Sequence, residues 1–286
     1  MSATHLAHEG HRLPGVALRE LALAALAVLA LAGTGAVHAG RSCEQRKPTA
    51  QMIERGMQLA ERTAQALDAD FRRAGTRVVV LARAGQDLSK YGLRYSHLGW
   101  AYRTDAGTWR VVHKLNDCGT ADARVYRQGL GEFFLDDLWR FEAAWAVPTP
   151  QVQASLLPVL SANDKAVALH RRPYSMVAYP WSQKYQQSNQ WALETMAAAM
   201  EPGTIRSREQ AQAWLRFKGY EPSTLRLGPL TRLGGRLTSA NIAFDDHPND
   251  KRYAGRIETA TVDSALAWLQ RAQLAGAPVA IDLRGS

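Results

Sequence analysis

Two short runs with β-character, joined by Thr104-Asp105-Ala106-Gly107, constrain this chain more than any other stretch. The first is Tyr95-Ser96-His97-Leu98-Gly99-Trp100 and the second Trp109-Arg110-Val111-Val112-His113-Lys114-Leu115. A type I turn that closes with Gly107 in the left-handed region would pair Thr104 with Thr108. That register sets His113 opposite Gly99 and diagonal to His97, with all three on one face of the hairpin. Diagonal neighbours on a sheet face sit roughly 7–8 Å apart, and a glycine opposite leaves space for something to enter. Histidines held this way can act as a base and its orienter beside a nucleophile.

The N-terminal residues read as a targeting segment. Arg12 and Arg19 flank the start, Leu21 to Ala32 is an unbroken apolar run too short to span a bilayer comfortably, and Val37-His38-Ala39 gives a small-x-small cleavage pattern. Residues 1–39 are therefore expected to be a signal peptide, an uncleaved anchor being the competing reading. Later stretches offer no span, so a periplasmic or secreted protein follows, without a stable membrane span after cleavage. The net charge of +9 is compatible with anionic lipid headgroups or acidic wall polymers as partners, or with solubility alone. No cluster of Lys and Arg with interleaved aromatics points to nucleic acid. In an oxidising compartment the chain's 2 cysteines, Cys43 and Cys118, most simply form one disulfide; the alternative makes Cys118 a free nucleophile.

Helical spacing predicts a helix over Pro48–Ala69, and Arg77–Ala82 reads as a buried strand. Further strands are predicted at Phe133–Leu135 and Phe141–Val147, then a helix from Pro150 through Leu160. Tyr174–Tyr179 reads as a strand that Pro180 stops, and Ser188–Met200 as a helix. A smaller unit follows: a helix at Arg208–Lys218, a glycine-rich segment around Gly234-Gly235, a strand at Leu237–Phe244 and a helix at Val262–Gln273. This order fits an α+β fold with an antiparallel sheet and flanking helices.

Ser-His-x-Gly on one strand, Val-Val-His on the next, and the polar helix start Gln187-Ser188-Asn189-Gln190-Trp191 together resemble the circularly permuted papain-like hydrolases. These include the NlpC-like peptidases and the lecithin:retinol acyltransferase-like enzymes, and the resemblance runs from about Val78 to Met200. The phrases Tyr95-Ser96-His97, Leu115-Asn116-Asp117-Cys118-Gly119, Tyr174–Pro180 and Tyr185–Trp191 also look like the exported bacterial family known as domain of unknown function 2145. The papain-like resemblance implies a permuted core over residues 40–201, with residues 202–286 as a small C-terminal extension packed on it. It places Ser188 where those hydrolases carry cysteine. A serine hydroxyl gains too little from a helix dipole to ionise, so it would need His97 as general base. His113 would orient His97, the Asn189 and Gln190 N–H groups would hold an oxyanion, and Tyr95 and Gly99 would line the substrate site.

The expected function is therefore an exported hydrolase or acyltransferase acting on an amide or ester in cell-wall peptide or lipid, through Ser188, His97 and His113, with no cofactor and no metal. The alternative is a catalytically inactive relative, a binding module for a cell-wall, lipid or envelope-protein partner. Each residue also has a plain structural reading: Ser188 as a helix cap, His97 as a hydrogen-bonded core residue, His113 as a polar strand end. Asp245-Asp246-His247 reads as a solvated acidic turn, with an oxygen-rich cation site as the other possibility. Trp100, Trp109, Trp139 and Trp145 read as core.

Overall fold

The computed structural model describes residues 48–136 and 138–283. The expected signal peptide and Cys43, and with it the expected disulfide to Cys118, lie outside the described residues. Among the described residues no helix is long and apolar enough to cross a membrane.

The first helix, α1 (Ala50–Ala74), starts where the Thr49 hydroxyl accepts from Met52 N and stops at Gly75, whose positive φ releases the chain. It buries Leu59, Ala60 and Leu67 along one stripe. Strands β1 (Val78–Ala84), β2 (His97–Arg103), β3 (Trp109–Asn116), β4 (Ala123–Gly129), β5 (Arg140–Ala146) and β8 (Val279–Asp282) make one sheet, in the order β4-β3-β2-β1-β5-β8. Every neighbouring pair is antiparallel, and the expected α+β class holds. All seven residues of β1 are buried, because both faces of the sheet are covered. The expected hairpin is present: Thr104 N donates to Thr108 O at 2.9 Å and Gly107 has a φ of 86°.

Side chains alternate between two cores. Val80, Ala82, Leu98, Trp100, Tyr102 and Val112 share one with Trp191, Leu193 and Met196 of α5 (Ser188–Met200). Val79, Leu81, Ala101, Trp109 and Val111 share the other with Leu59 and Leu67 of α1 and Phe133 and Phe134 of α2 (Leu130–Leu135). The α2 segment corrects the strand expected at Phe133–Leu135. A strand would send Phe133 and Phe134 to opposite faces. One turn of helix, with Glu132 accepting from Gly129 N at 2.8 Å, buries Leu130, Phe133 and Phe134 together.

Helices α3 (Pro150–Ser161) and α4 (Asn163–Ala166) precede an irregular stretch that leads to α5. Tyr174–Tyr179 is not a strand: Tyr174 N, Met176 N and Tyr179 N are bonded to Ala121 O, Asn241 O and the Asp246 carboxylate, three different places instead of one ladder. Beyond α5 come α6 (Arg208–Phe217), β6 (Ser223–Arg226), α7 (Pro229–Thr238), α8 (Asn249–Tyr253), β7 (Arg256–Thr259) and α9 (Val262–Arg271). Helix α7 replaces the loop and strand expected around Gly234–Phe244. Pro229 pre-sets its first turn, and Arg232 N→Gly228 O at 3.1 Å and Ser239 N→Gly235 O at 3.1 Å close it at either end. Residues beyond 202 contribute Ile205, Leu215, Trp268 and Leu269 to the α5-side core, and β8 closes the β5 edge of the sheet. Trp100, Trp109 and Trp145 are core residues, whereas Trp139 is 54% exposed.

Candidate functional site

The hairpin brings its two histidines together. His97 Nε2 and His113 Nδ1 are 2.8 Å apart, and His113 Nε2 lies 2.8 Å from Gln128 Oε1 on β4. With the Gln128 carbonyl as acceptor, His113 carries its proton on Nε2, so its Nδ1 accepts the His97 Nε2 proton. Both rings are then neutral. Phe133 stacks edge-on against His113, at 5.2 Å between centroids. Arg83, the β1 partner of His97, lies over the Phe133 ring and binds Phe133 O and the Asp136 carboxylate. Burial first, then the Arg83 charge, lowers both imidazoles: His113 to about 3, and His97 well below its ordinary value. Rings this weakly basic make poor general bases near neutral pH.

Gly99 does not open space beside them. A Cβ there would meet His113 Cβ at 2.8 Å and Val111 Cγ1 and Val112 O at 3.0 Å, so the glycine exists to admit His113.

Ser188 stands elsewhere. His97 and His113 lie on the sheet face that carries α1 and α2, in phase with Ala101 and Val111. Helix α5 packs on the other face, where the Trp100 indole donates to Ala192 O at 2.9 Å. The expected Ser188/His97/His113 grouping is thus divided by the sheet. Ser188 is buried in the first turn of α5 against the Tyr174 phenol.

The polar residues around it are consumed by bonds that join the helix to its surroundings. Gln187 is the N-cap: its Oε1 accepts from Asn189 N at 3.1 Å, and its Nε2 donates to Thr259 Oγ1 and Ala260 O. Asn189 Oδ1 accepts from Leu98 N at 3.1 Å and its Nδ2 donates to Ala260 O at 3.0 Å. The Asn189 N–H expected to hold an oxyanion is therefore already bonded. Gln190 Nε2 donates to Pro180 O and to Glu194. Tyr95 is buried beside Glu142, and burial followed by that carboxylate raises its phenol.

The sequence analysis missed the group these residues surround. Fully buried Glu194 pairs through both oxygens with Arg208 of α6 and accepts from Gln186, Gln190 and Gln212. Lys114, on β3 next to His113 but facing α5, donates to Gln186 Oε1 at 2.8 Å and Arg171 O at 2.6 Å. Burial, then the Arg208 charge, lowers its ammonium to about 6. The signal available was Glu194 in the middle of an otherwise buried helix, which demands a cation; its partner could not be read from the sequence.

The Asp245–His247 loop is solvated at Asp245 alone, and its other two side chains turn inward. Asp246 accepts from Tyr179 N at 2.8 Å and meets His247 Nδ1 at 2.9 Å, both side chains fully buried, while Asp245 pairs with Lys184. Its carboxylates face protein donors, an arrangement unlike an oxygen-lined cation site. Among the described residues no group of three or more His, Cys, Asp and Glu is placed to hold a metal ion. A cavity of about 180 Å³ is lined by Val159, Lys165, Leu169, Thr195, Ala199 and Ile205, on the α5 side and away from the histidines. It is smaller than the roughly 300–1,000 Å³ typical of small-molecule sites.

A six-stranded antiparallel sheet between two helical layers defines a mixed α+β domain. The chain belongs to the bacterial family described as "Uncharacterized protein conserved in bacteria (DUF2145)", whose model matches residues 70–269. No curated protein and no solved structure matches the chain.

Proposed function

We propose that this protein is an exported, non-hydrolytic binding module of the cell envelope, a relative of the permuted papain-like hydrolases that lacks their nucleophile and base pairing. One observation carries the reading: the histidines and the helix bearing Ser188 lie on opposite faces of the sheet. The depressed basicity of both imidazoles supports it further. In this reading recognition falls to the outer surface, with cell-wall peptide, lipid or an envelope protein as the partner. Export and a Cys43–Cys118 disulfide belong to the same proposal; a count of zero free thiols in the unfolded, unreduced protein recovered from the periplasm is the expected result.

The direct test is chemical labelling. Wild type should resist a fluorophosphonate probe, and Ser188→Cys should react with iodoacetamide no faster than an ordinary cysteine. Labelling that disappears in Ser188→Ala and depends on His97 would restore the serine hydrolase reading and end this one.

A further inference from the structure

Helix α7 is amphipathic the wrong way round for a globular protein. Its inward side offers Gly235, packed near Ile242, and Arg232, which donates to Arg252 O on α8. Its leucines point out: Leu230 is 83% exposed, Leu233 55% and Leu237 77%. Positions i, i+3 and i+7 share one helical face, so the three form a continuous stripe with Gly234 between them. The nearest small core, built on Leu225, Leu227, Phe244 and Ile257, takes none of these leucines.

The charge within the segment that carries the stripe has one sign. From Pro222 to Phe244 there are three arginines (Arg226, Arg232 and Arg236) and no acidic residue. Arg226 and Arg236 are exposed. Helix α8, tied to α7 through Arg232, adds Tyr253, 72% exposed, with its hydroxyl held by Arg252. Asp250 is the acidic residue of α8. An exposed leucine face, with an exposed arginine on its own helix, another on β6 and an exposed tyrosine on α8, has the composition that lies flat in the boundary between headgroups and acyl chains. A protein partner for such a stripe would be expected to offer a groove with acidic rims, but an anionic bilayer supplies both elements at once.

We propose that α7 is a reversible lipid-surface anchor: Leu230, Leu233 and Leu237 enter the interfacial layer of an anionic bilayer while Arg226 and Arg236 meet headgroup phosphates. This goes beyond the non-hydrolytic reading and fails separately from it, since that reading rests on the chemistry of Ser188.

The test uses the full chain with two vesicle types, phosphatidylcholine alone and phosphatidylcholine mixed with phosphatidylglycerol. Flotation should be stronger on the anionic vesicles and weaken with salt. Affinity should fall roughly fivefold per arginine in Arg226→Gln and Arg236→Gln, and more in Leu230→Ser/Leu233→Ser/Leu237→Ser, whose melting temperature should match wild type. An environment-sensitive dye on Leu237→Cys gives a readout that any tethering by the Leu21–Ala32 run leaves unmoved, and it should shift to the blue on anionic vesicles. No blue shift, or equal flotation of the triple leucine variant, overturns the proposal. So does a wild-type dimer that the leucine variant converts to monomer, which would assign the stripe to a second copy of the chain.

Discussion

His113 and Lys114 are consecutive residues on β3 that face opposite sides of one sheet, and both are fully buried. Each meets the same problem, a titratable base out of water, and each side answers with the same components. On the α2 side the histidine pair ends at Gln128, beside an Arg83–Asp136 ion pair. On the α5 side Lys114 ends at Gln186, beside the Arg208–Glu194 pair. In both places burial first and a neighbouring guanidinium second make the base easier to leave unprotonated. The difference lies in what the networks join. The histidine network ties together β2, β3 and β4, whereas the Glu194 network ties α5 to α6 and to the irregular stretch before it. In both networks the polar side chains bond to one another across element boundaries, and so fasten the elements that carry them.

The sharpest way to break the comparison is to remove a charge. Glu194→Ala leaves the Arg208 guanidinium buried without its carboxylate and strips acceptors from three glutamines. A loss of about 3–5 kcal/mol is expected, read as a lower urea midpoint, and Arg208→Met should cost a similar amount. A loss under 1 kcal/mol would mean that water reaches the pair and that the two faces are unlike after all.

On the other face the strongest single lever is steric. Gly99→Ala drives a methyl to within 2.8 Å of His113 Cβ, with Val112 O at 3.0 Å behind it. Overpacking of this kind costs about 1–3 kcal/mol, and displacement of the His113 ring should appear in its imidazole NMR shifts. Unchanged shifts and stability would show that β2 and β3 part easily at this point.

Acid provides the next lever. A histidine whose folded value lies below its unfolded value binds fewer protons when folded, so its contribution is present above pH 6.5 and is lost as pH falls toward the folded value. For His113 that window runs from about 6.5 down to about 3. Each such ring contributes a slope of about 1.4 kcal/mol per pH unit within its window. His97→Gln keeps a donor for His113 Nδ1 but does not titrate, so the rise of stability with pH just below 6.5 should be flatter than in wild type. An unaltered slope would mean that the pair is solvated. Lys114 follows the same sign, adding stability as pH rises from about 6 to 10.5.

How much of this was legible in the sequence depends on how local each cause is. The hairpin and the placement of His113 opposite Gly99 followed from a four-residue turn, and the turn formed as expected. Helices α5, α6 and α9 followed from period and breakers. The facing of the histidines was not legible, because a two-residue alternation fixes which residues share a face but not which helix will cover it. Phe133 was misread because two adjacent aromatics favour a strand until the cap at Gly129 allows a helical turn. Helix α7 was misread for the opposite reason: its paired glycines suggested a loop, yet a helix whose apolar side faces outward needs a small residue, Gly235, where it meets the protein. The Glu194–Arg208 pair spans two helices, and no spacing rule encodes it.

The smallest expected effect separates Ser188 from its neighbour. Gln187, not Ser188, caps α5, and its amide holds Asn189 N, Thr259 Oγ1 and Ala260 O. Gln187→Ala should therefore cost about 1–3 kcal/mol, since the partners it abandons are buried. Ser188→Ala keeps the cap and adds the best helix former, which offsets part of the loss of the hydroxyl that hydrogen-bonds the buried Tyr174 phenol. Its unfolding free energy should fall by about 0.5–1 kcal/mol, the smaller of the two losses. Paired urea titrations of the two variants measure the difference directly. If Ser188→Ala proves as costly as Gln187→Ala, the serine is itself one of the fasteners of the α5 face, and its contact with Tyr174 becomes the link between that helix and the irregular segment before it.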